Sequence, residues 1–183
     1  MKPVALTRVQ TYNGKEREGQ PIVDNTHKLI LVVDDDWMNR ELLQAHLEAA
    51  GYDVMTVNSG EKALEFVAAR IPDLVLLDVR MPGLDGYEVC ARLKADHTTH
   101  HVPVIIVTAL DKDEDYLKAI EAGADDFLPK PFHSVLMLAR IRSLLRVKRL
   151  YDLLERRNER LRDVLSHYLD SHTVNQILAN LED

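Results

Sequence analysis

Three short apolar runs frame the chain: Leu29-Ile30-Leu31-Val32-Val33, Leu74-Val75-Leu76-Leu77 and Val104-Ile105-Ile106-Val107. Each ends in a polar residue, Asp34, Asp78 and Thr108 respectively. Runs this short, apolar at every position and bounded by turn residues, read as strands covered on both faces, the kind found in parallel sheets. Between them the apolar spacing changes to three and four. Leu42, Leu43, Ala45, His46, Leu47 and Ala50 give an inward face to a helix from about Trp37 to Ala50, with Gly51 as its stop. A short strand follows over Asp53–Val57. Asn58-Ser59-Gly60 then opens a helix that runs through Ala63, Leu64, Phe66 and Val67 and halts before Pro72. Further helices are predicted from about Tyr87 to Ala95 and from about Lys112 to Ala122, the latter stopped by Gly123. Phe127-Leu128 forms a brief fifth strand, and a last helix follows Lys130-Pro131.

Strand and helix therefore alternate five times, at a spacing of roughly 20 to 30 residues. Such alternation needs crossover connections and gives a parallel sheet with helices on both faces. Right-handed crossovers leave few topologies, and the commonest for five units is the flavodoxin-like order 2-1-3-4-5. The fold class is thus α/β, doubly wound. In that order strands 1 and 3 are neighbours at the switch point, so Asp34, Asp35 and Asp78 converge in one crevice.

Composition narrows the class without naming a partner. The chain has 183 residues, 46% hydrophobic and 29% charged, with a net charge of −7. That suits one domain of ordinary size plus an appendage. Cys90 is the only cysteine, which excludes a disulfide framework and makes a reducing cytoplasm the natural compartment. No run approaches the ~18 apolar residues that span a bilayer, and no secretory h-region opens the chain. Residues 1–27 carry neither period and read as a flexible leader.

Three carboxylates in one crevice repel one another, and the cluster needs positive charge. Two sources fit: a bound divalent cation, and Lys130 arriving from the end of strand 5. Carboxylate oxygens without cysteine favour a hard cation, Mg²⁺ before Ca²⁺. Thr108 adds a hydroxyl on the same edge. A metal, a lysine and a hydroxyl around one carboxylate make a phosphoryl-transfer site with an aspartyl nucleophile. Other residues read as scaffold. Asp36 is a helix N-cap, Asp85-Gly86 is turn and cap chemistry, and Cys90 is a buried small hydrophobe. His97, His100 and His101 could suggest a metal site, but a solvated loop is the favoured reading.

The pattern over residues 28–146 resembles the receiver domain of two-component response regulators. The matching motifs are Val33-Asp34-Asp35, the run from Leu77 through Asp78-Val79-Arg80-Met81-Pro82-Gly83 to Gly86, Val107-Thr108-Ala109, and the run from Ala122 to Lys130-Pro131-Phe132. The resemblance implies that Asp78 is the phosphoacceptor. It implies that Asp34, Asp35, Asp78 and the backbone carbonyl of Arg80 hold Mg²⁺. Thr108 would bond a phosphoryl oxygen, Lys130 would pair with the phosphate, and Thr108 with Phe127 would form the switch. The Arg80 side chain would reach the phosphate and alter its lifetime, and Lys130-Pro131 would be a cis peptide. The donor would be a histidine kinase or phosphotransfer protein, and activity of the chain's own would not exceed autophosphatase chemistry. Phosphatases of the haloacid dehalogenase type need a second aspartate two residues past the nucleophile. Arg80 stands there, which argues against a turnover enzyme.

Beyond the receiver, one apolar register stands out: Leu144, Val147, Tyr151, Leu154, Asn158, Leu161, Leu165 and Tyr168. Its steps alternate three and four, a coiled-coil heptad, and Asn158 falls at an a position that favours a two-stranded parallel homodimer. Residues 147–170 are therefore read as a dimerisation helix, although Arg157 and Arg162 would face each other across the pair. Residues 140–162 carry nine Arg and Lys against three Asp and Glu. No helix-turn-helix pattern accompanies them, so a solvated helix face is favoured over nucleic acid binding. Residues 171–183 read as a short terminal helix, or as the start of a lead-in similar to that before class III nucleotide cyclase domains. That similarity implies a C-terminal output domain. A receiver serving as a non-signalling adaptor is the remaining alternative, opposed by the full set of acids with Lys130 and Thr108.

Overall fold

In the computed structural model, residues 28–109 and 113–168 are described. The predicted leader, the terminal segment 171–183 and the expected start of the fourth helix at Lys112 lie outside them, as does the Leu165 side chain. The order is β1 (Leu29–Val33), α1 (Trp37–Ala49), β2 (Asp53–Val57), α2 (Gly60–Ala69), β3 (Leu74–Asp78), α3 (Gly86–Ala95), β4 (Val104–Thr108), α4 (Asp113–Glu121), β5 (Asp126–Pro129) and α5 (Ser134–Tyr168). All strand pairs are parallel, and the sheet order is β2-β1-β3-β4-β5. The flavodoxin-like fold expected from the sequence is the one observed.

The strands are apolar throughout because both faces are covered. Ile30, Val32, Leu74, Leu76, Ile105, Val107 and Leu128 pack with Leu43 and Leu47 of α1 and with Met137, Ile141 and Leu145 of α5. The alternate positions Leu31, Val33, Val75, Leu77 and Val104 meet Ala63, Val67, Val89, Cys90 and Leu93 of α2 and α3. Period-two alternation thus sorts each strand between two cores. β2 lies at an edge and has no fully buried residue, in keeping with its weaker apolar pattern.

Caps fix the helix starts. Asp36 accepts from the Met38 N–H, as expected of an N-cap. Ser59 caps α2, and Asp85 forms a capping box with Glu88 that starts α3 at Gly86. The inward face of α1 is narrower than the sequence suggests. Leu43 and Leu47 are buried, while Leu42 and Ala45 face solvent. At about 100° per residue Leu43 and Leu47 lie about 40° apart on the inward side, whereas Leu42 and Ala45 are turned away from Leu43 by about 100° and about 160°. β5 is longer than Phe127-Leu128, because backbone pairing with β4 recruits Asp126 and Pro129 as well.

Candidate functional site

Four strands deliver the polar side chains to one edge. Asp78 is the last residue of β3 and Thr108 the last of β4, while Asp34 and Lys130 each follow their strands by one residue. Parallel strands end on the same side, so alignment of the ladder alone brings these groups together. Carboxylate oxygens of Asp34, Asp35 and Asp78 lie within 4.8 Å of one another. Asp34 and Asp78 are buried and Asp35 is exposed. Such an arrangement, all oxygen and open on one side, suits a hard divalent cation that keeps part of its water shell.

Lys130 supplies the resident positive charge. Its Nζ donates to Asp34 Oδ2 and to Asp78 Oδ1, both at 2.7 Å. Its backbone N–H donates to the Thr108 carbonyl at 2.7 Å, which pins the end of β5 to the end of β4. The Lys130–Pro131 peptide is cis. Burial pushes the Asp78 pKa up, and neither the Lys130 contact nor the Arg80 backbone N–H fully offsets it. Burial also opposes the Lys130 charge, but the hydrogen bonds that it donates to Asp34 and Asp78 overcome that and hold its pKa above the ordinary lysine value. The lysine is firmly cationic, whereas Asp78 is an anion that its surroundings only partly compensate.

The acidic turn after β1 is braced by residues that the apolar pattern does not mark. Arg40 Nη1 donates to the carbonyls of Asp34 and Asp35, at 2.7 and 2.9 Å. Asp34 Oδ1 accepts from the Asp36 N–H and from Asn39 Nδ2. The loop after Asp78 is tied on its far side: Glu61 Oε1 accepts from the Leu84 N–H at 3.0 Å. The N–H groups of Glu61 itself and of Leu84 hold the Glu61 carboxyl below the usual carboxylate range. Gly86 is required by close approach, because a Cβ there would stand 2.2 Å from the Asp78 carbonyl oxygen. Sequence offers a cue for Gly86 in the Asp-Gly pair, and none for Arg40 or Glu61.

The remaining predicted residues sit as follows. Arg80 is exposed beside the acidic cluster, and Thr108 is buried. Phe127 is buried, with its ring centroid 4.2 Å from that of Tyr116 on α4. On α5, Leu144 packs against the first core and Tyr151 is half-buried, while Val147, Leu154, Asn158 and Leu161 are exposed. The histidine loop departs from expectation: it is not simply solvated. His101 is half-buried and stacks on Tyr151, with centroids 5.2 Å apart and planes 7° apart. No helix among the described residues is long and apolar enough to cross a membrane.

Comparison with known proteins agrees with this geometry. Residues 30–142 match the family model described as the response regulator receiver domain. The response regulator PleD of Caulobacter vibrioides is 50% identical over 128 residues, which are 70% of this chain and 28% of PleD. The chain therefore spans little more than a quarter of that relative. Among solved structures, the receiver domain of a signal transduction histidine kinase from Syntrophus aciditrophicus is 37% identical, with a TM-score of 0.62. The match covers 64% of this chain and 89% of that one. The BeF3-activated N-terminal receiver domain of Klebsiella pneumoniae RstA is 36% identical, with a TM-score of 0.60, and 64% and 98% of the two chains are covered. Strand order, the acidic strand-end cluster and the family match over residues 30–142 lead to one assignment: the chain belongs to the response regulator receiver domain family of two-component signalling.

Proposed function

We propose that Asp78 accepts a phosphoryl group from a phosphohistidine on a histidine kinase or phosphotransfer protein. The P–N bond of the donor breaks, a P–O bond to an Asp78 carboxylate oxygen forms, and an acyl phosphate results. The carrying observation is a buried carboxylate at a strand end, 2.7 Å from a lysine and grouped with two further acids. Mg²⁺ fits Asp34, Asp35, Asp78 and the Arg80 carbonyl, where it would neutralise charge on the phosphoryl oxygens. Lys130 is assigned to pair with the phosphoryl group once Asp78 carries it, a role supported by the 2.7 Å contact of its Nζ with Asp78 Oδ1. Thr108 is assigned a hydrogen bond to a phosphoryl oxygen, and Phe127 the aromatic half of the switch.

The output is assigned to α5. This helix runs unbroken to Tyr168, well past the family match that ends at residue 142. We assign residues 147–170 to self-association in a parallel homodimer, with Leu144, Val147, Tyr151, Leu154, Asn158, Leu161 and Leu165 as its seam. The helix then carries the change to the partner copy and to any C-terminal output domain. Local electrostatics at Asp78 bias a packed two-state element, the usual way a small charge change becomes a global one. Cytoplasmic placement follows from a phosphoryl donor of this kind.

Trp37 offers a direct test. It is the first residue of α1, exposed, and the only tryptophan. Adding Mg²⁺ and then a beryllium fluoride analogue of the phosphoryl group should change its fluorescence in two steps. The second step should vanish in Asp78→Asn. An unaltered response in that variant would remove Asp78 as the acceptor.

A further inference from the structure

The loop between α3 and β4 is a built structure. Thr99 is buried and donates from Oγ1 to the Leu93 carbonyl at 2.7 Å. Lys94 Nζ reaches the carbonyls of His100 and Val102 and also Asp125 Oδ2, the last at 2.6 Å. Asp125 in turn accepts from the Val104 N–H. The loop is thus anchored to α3 and to the segment leading into β5, and it presents two imidazoles to α5.

Tyr151 meets both, and the two imidazoles meet each other edge-on at 5.6 Å. The Tyr151 ring stacks on His101 and meets His100 edge-on, with 6.0 Å between centroids and planes 90° apart. Tyr151 Oη is 3.3 Å from His100 Nε2, and His100 Nδ1 is 2.9 Å from the His97 carbonyl. A carbonyl only accepts, so Nδ1 carries the proton. In the neutral ring Nε2 is then the acceptor, and the Tyr151 hydroxyl donates to it. Without this contact α5 would leave the domain near Lys148, the last residue that it buries. With it the helix stays attached through Tyr151, about 4.5 Å further along its axis, and every described side chain from Leu153 to Val164 is exposed.

Attachment at Tyr151 bears on which face of α5 is free. Leu144 and Tyr151 share one row of the heptad seam, and both turn toward their own domain. Val147, Leu150, Leu154, Leu161 and Val164 are each between 56 and 61% exposed, and they also step by threes and fours apart from the place of Arg157. The row Val147, Leu154 and Leu161 is common to both registers. Tyr151 with Asn158 belongs to one register, Leu150 with Val164 to the other. Exchanging them turns the helix by roughly 50° about its axis, at about 100° per residue.

We propose that the α3–β4 loop is a clasp on α5, and that while His100 and His101 hold Tyr151 it withholds the Tyr151–Asn158 row from self-association. This rests on the homodimer reading above. The closed clasp leaves the Leu150–Val164 register for a second copy, and opening it releases the other.

Disulfide cross-linking between copies tests both statements separately. Cys90 is buried, and burial pushes its thiol up to about 12, so introduced cysteines report alone. Leu154→Cys lies on the shared row and reports self-association in either register. Asn158→Cys and Val164→Cys report the two registers. In the full chain, Val164→Cys should cross-link faster than Asn158→Cys. Combining each with His100→Ala and His101→Ala should raise the Asn158-to-Val164 ratio by about tenfold, the equivalent of about 1.4 kcal/mol. Tyr151→Phe, which keeps the ring and loses only the hydroxyl, should move the ratio the same way by a smaller factor if the loop variants fail to fold. Cross-linking at Leu154 with a ratio that stays within twofold in all variants overturns the clasp alone. No product at Leu154 overturns the homodimer reading, and the clasp falls with it because there is then no contact to withhold.

Discussion

Replacing Asp78 by asparagine should stabilise the metal-free protein, although it destroys the assigned acceptor. Carboxylates of Asp34 and Asp78 no more than 4.8 Å apart repel by at least about 3.5 kcal/mol at an effective dielectric of about 20. Asp35 adds less because it is exposed. The Lys130 contact at 2.7 Å attracts by about 6 kcal/mol on the same scale, so the pair terms leave a net attraction of no more than about 2.5 kcal/mol. The raised Asp78 pKa means that the cost of burial outweighs it. Asparagine does not bear the cost of burying a carboxylate, while its Oδ1 still accepts from Lys130. A net gain of about 1–2 kcal/mol is expected at pH 7, roughly 4–8 °C in Tm for a domain of this size. The pH dependence has a definite sign. Asp78 has its folded pKa raised above the unfolded value, so its contribution is favourable below the unfolded pKa and is lost as pH rises through the folded one. The advantage of Asp78→Asn should therefore be full at pH 7 and shrink towards pH 3. Thermal melts of both proteins without divalent cation, from pH 3 to pH 8, provide the assay. A destabilised variant at pH 7, or a gain that persists at pH 3, would refute the reasoning. With Mg²⁺ at 100 times its Kd the native chain should gain about 2.7 kcal/mol, and Asp78→Asn less.

Three further substitutions probe the surroundings of that carboxylate. Lys130→Met leaves Asp34 and Asp78 buried without their cation and should cost about 3–5 kcal/mol in urea unfolding, partly restored by Mg²⁺. Arg40→Ala removes two hydrogen bonds to the acidic turn. It should weaken Mg²⁺ binding by about tenfold in a Trp37 fluorescence titration, with little change in far-UV circular dichroism. Gly86→Ala drives a Cβ into the Asp78 carbonyl and should cost at least about 3 kcal/mol while displacing the acceptor, measured by denaturant midpoint and by Mg²⁺ affinity together.

Legibility in the sequence followed the range of the forces involved. The strands could be read because a sheet covered on both faces demands apolar residues at every position, as Ile30 to Val33 and Val104 to Val107 show. Asp34, Asp78, Thr108 and Lys130 could be read because parallel topology carries all strand ends to one edge. Arg40 could not, since a long side chain reaching backbone carbonyls leaves no trace in a hydrophobic period. Glu61 reaches Leu84 across 23 residues of sequence, a pairing that only the packing of α2 beside the β3–α3 loop creates. The histidine loop looked solvated because its composition is polar. Its contact with Tyr151 depends on how far α5 extends past the domain, which a heptad pattern alone does not say. Leu42 was expected inside because it is apolar, yet α1 buries only Leu43 and Leu47 among its leucines.

Phosphorylation itself tests the central assignment most directly. The protein is incubated with a small-molecule phosphodonor and Mg²⁺, and its intact mass is read before and after mild acid or alkaline treatment. The geometry at Asp78 predicts one added phosphoryl group, labile to that treatment, dependent on Mg²⁺ and absent from Asp78→Asn. A native chain that gains no phosphoryl group, or an Asp78→Asn variant that gains one equally well, would contradict it.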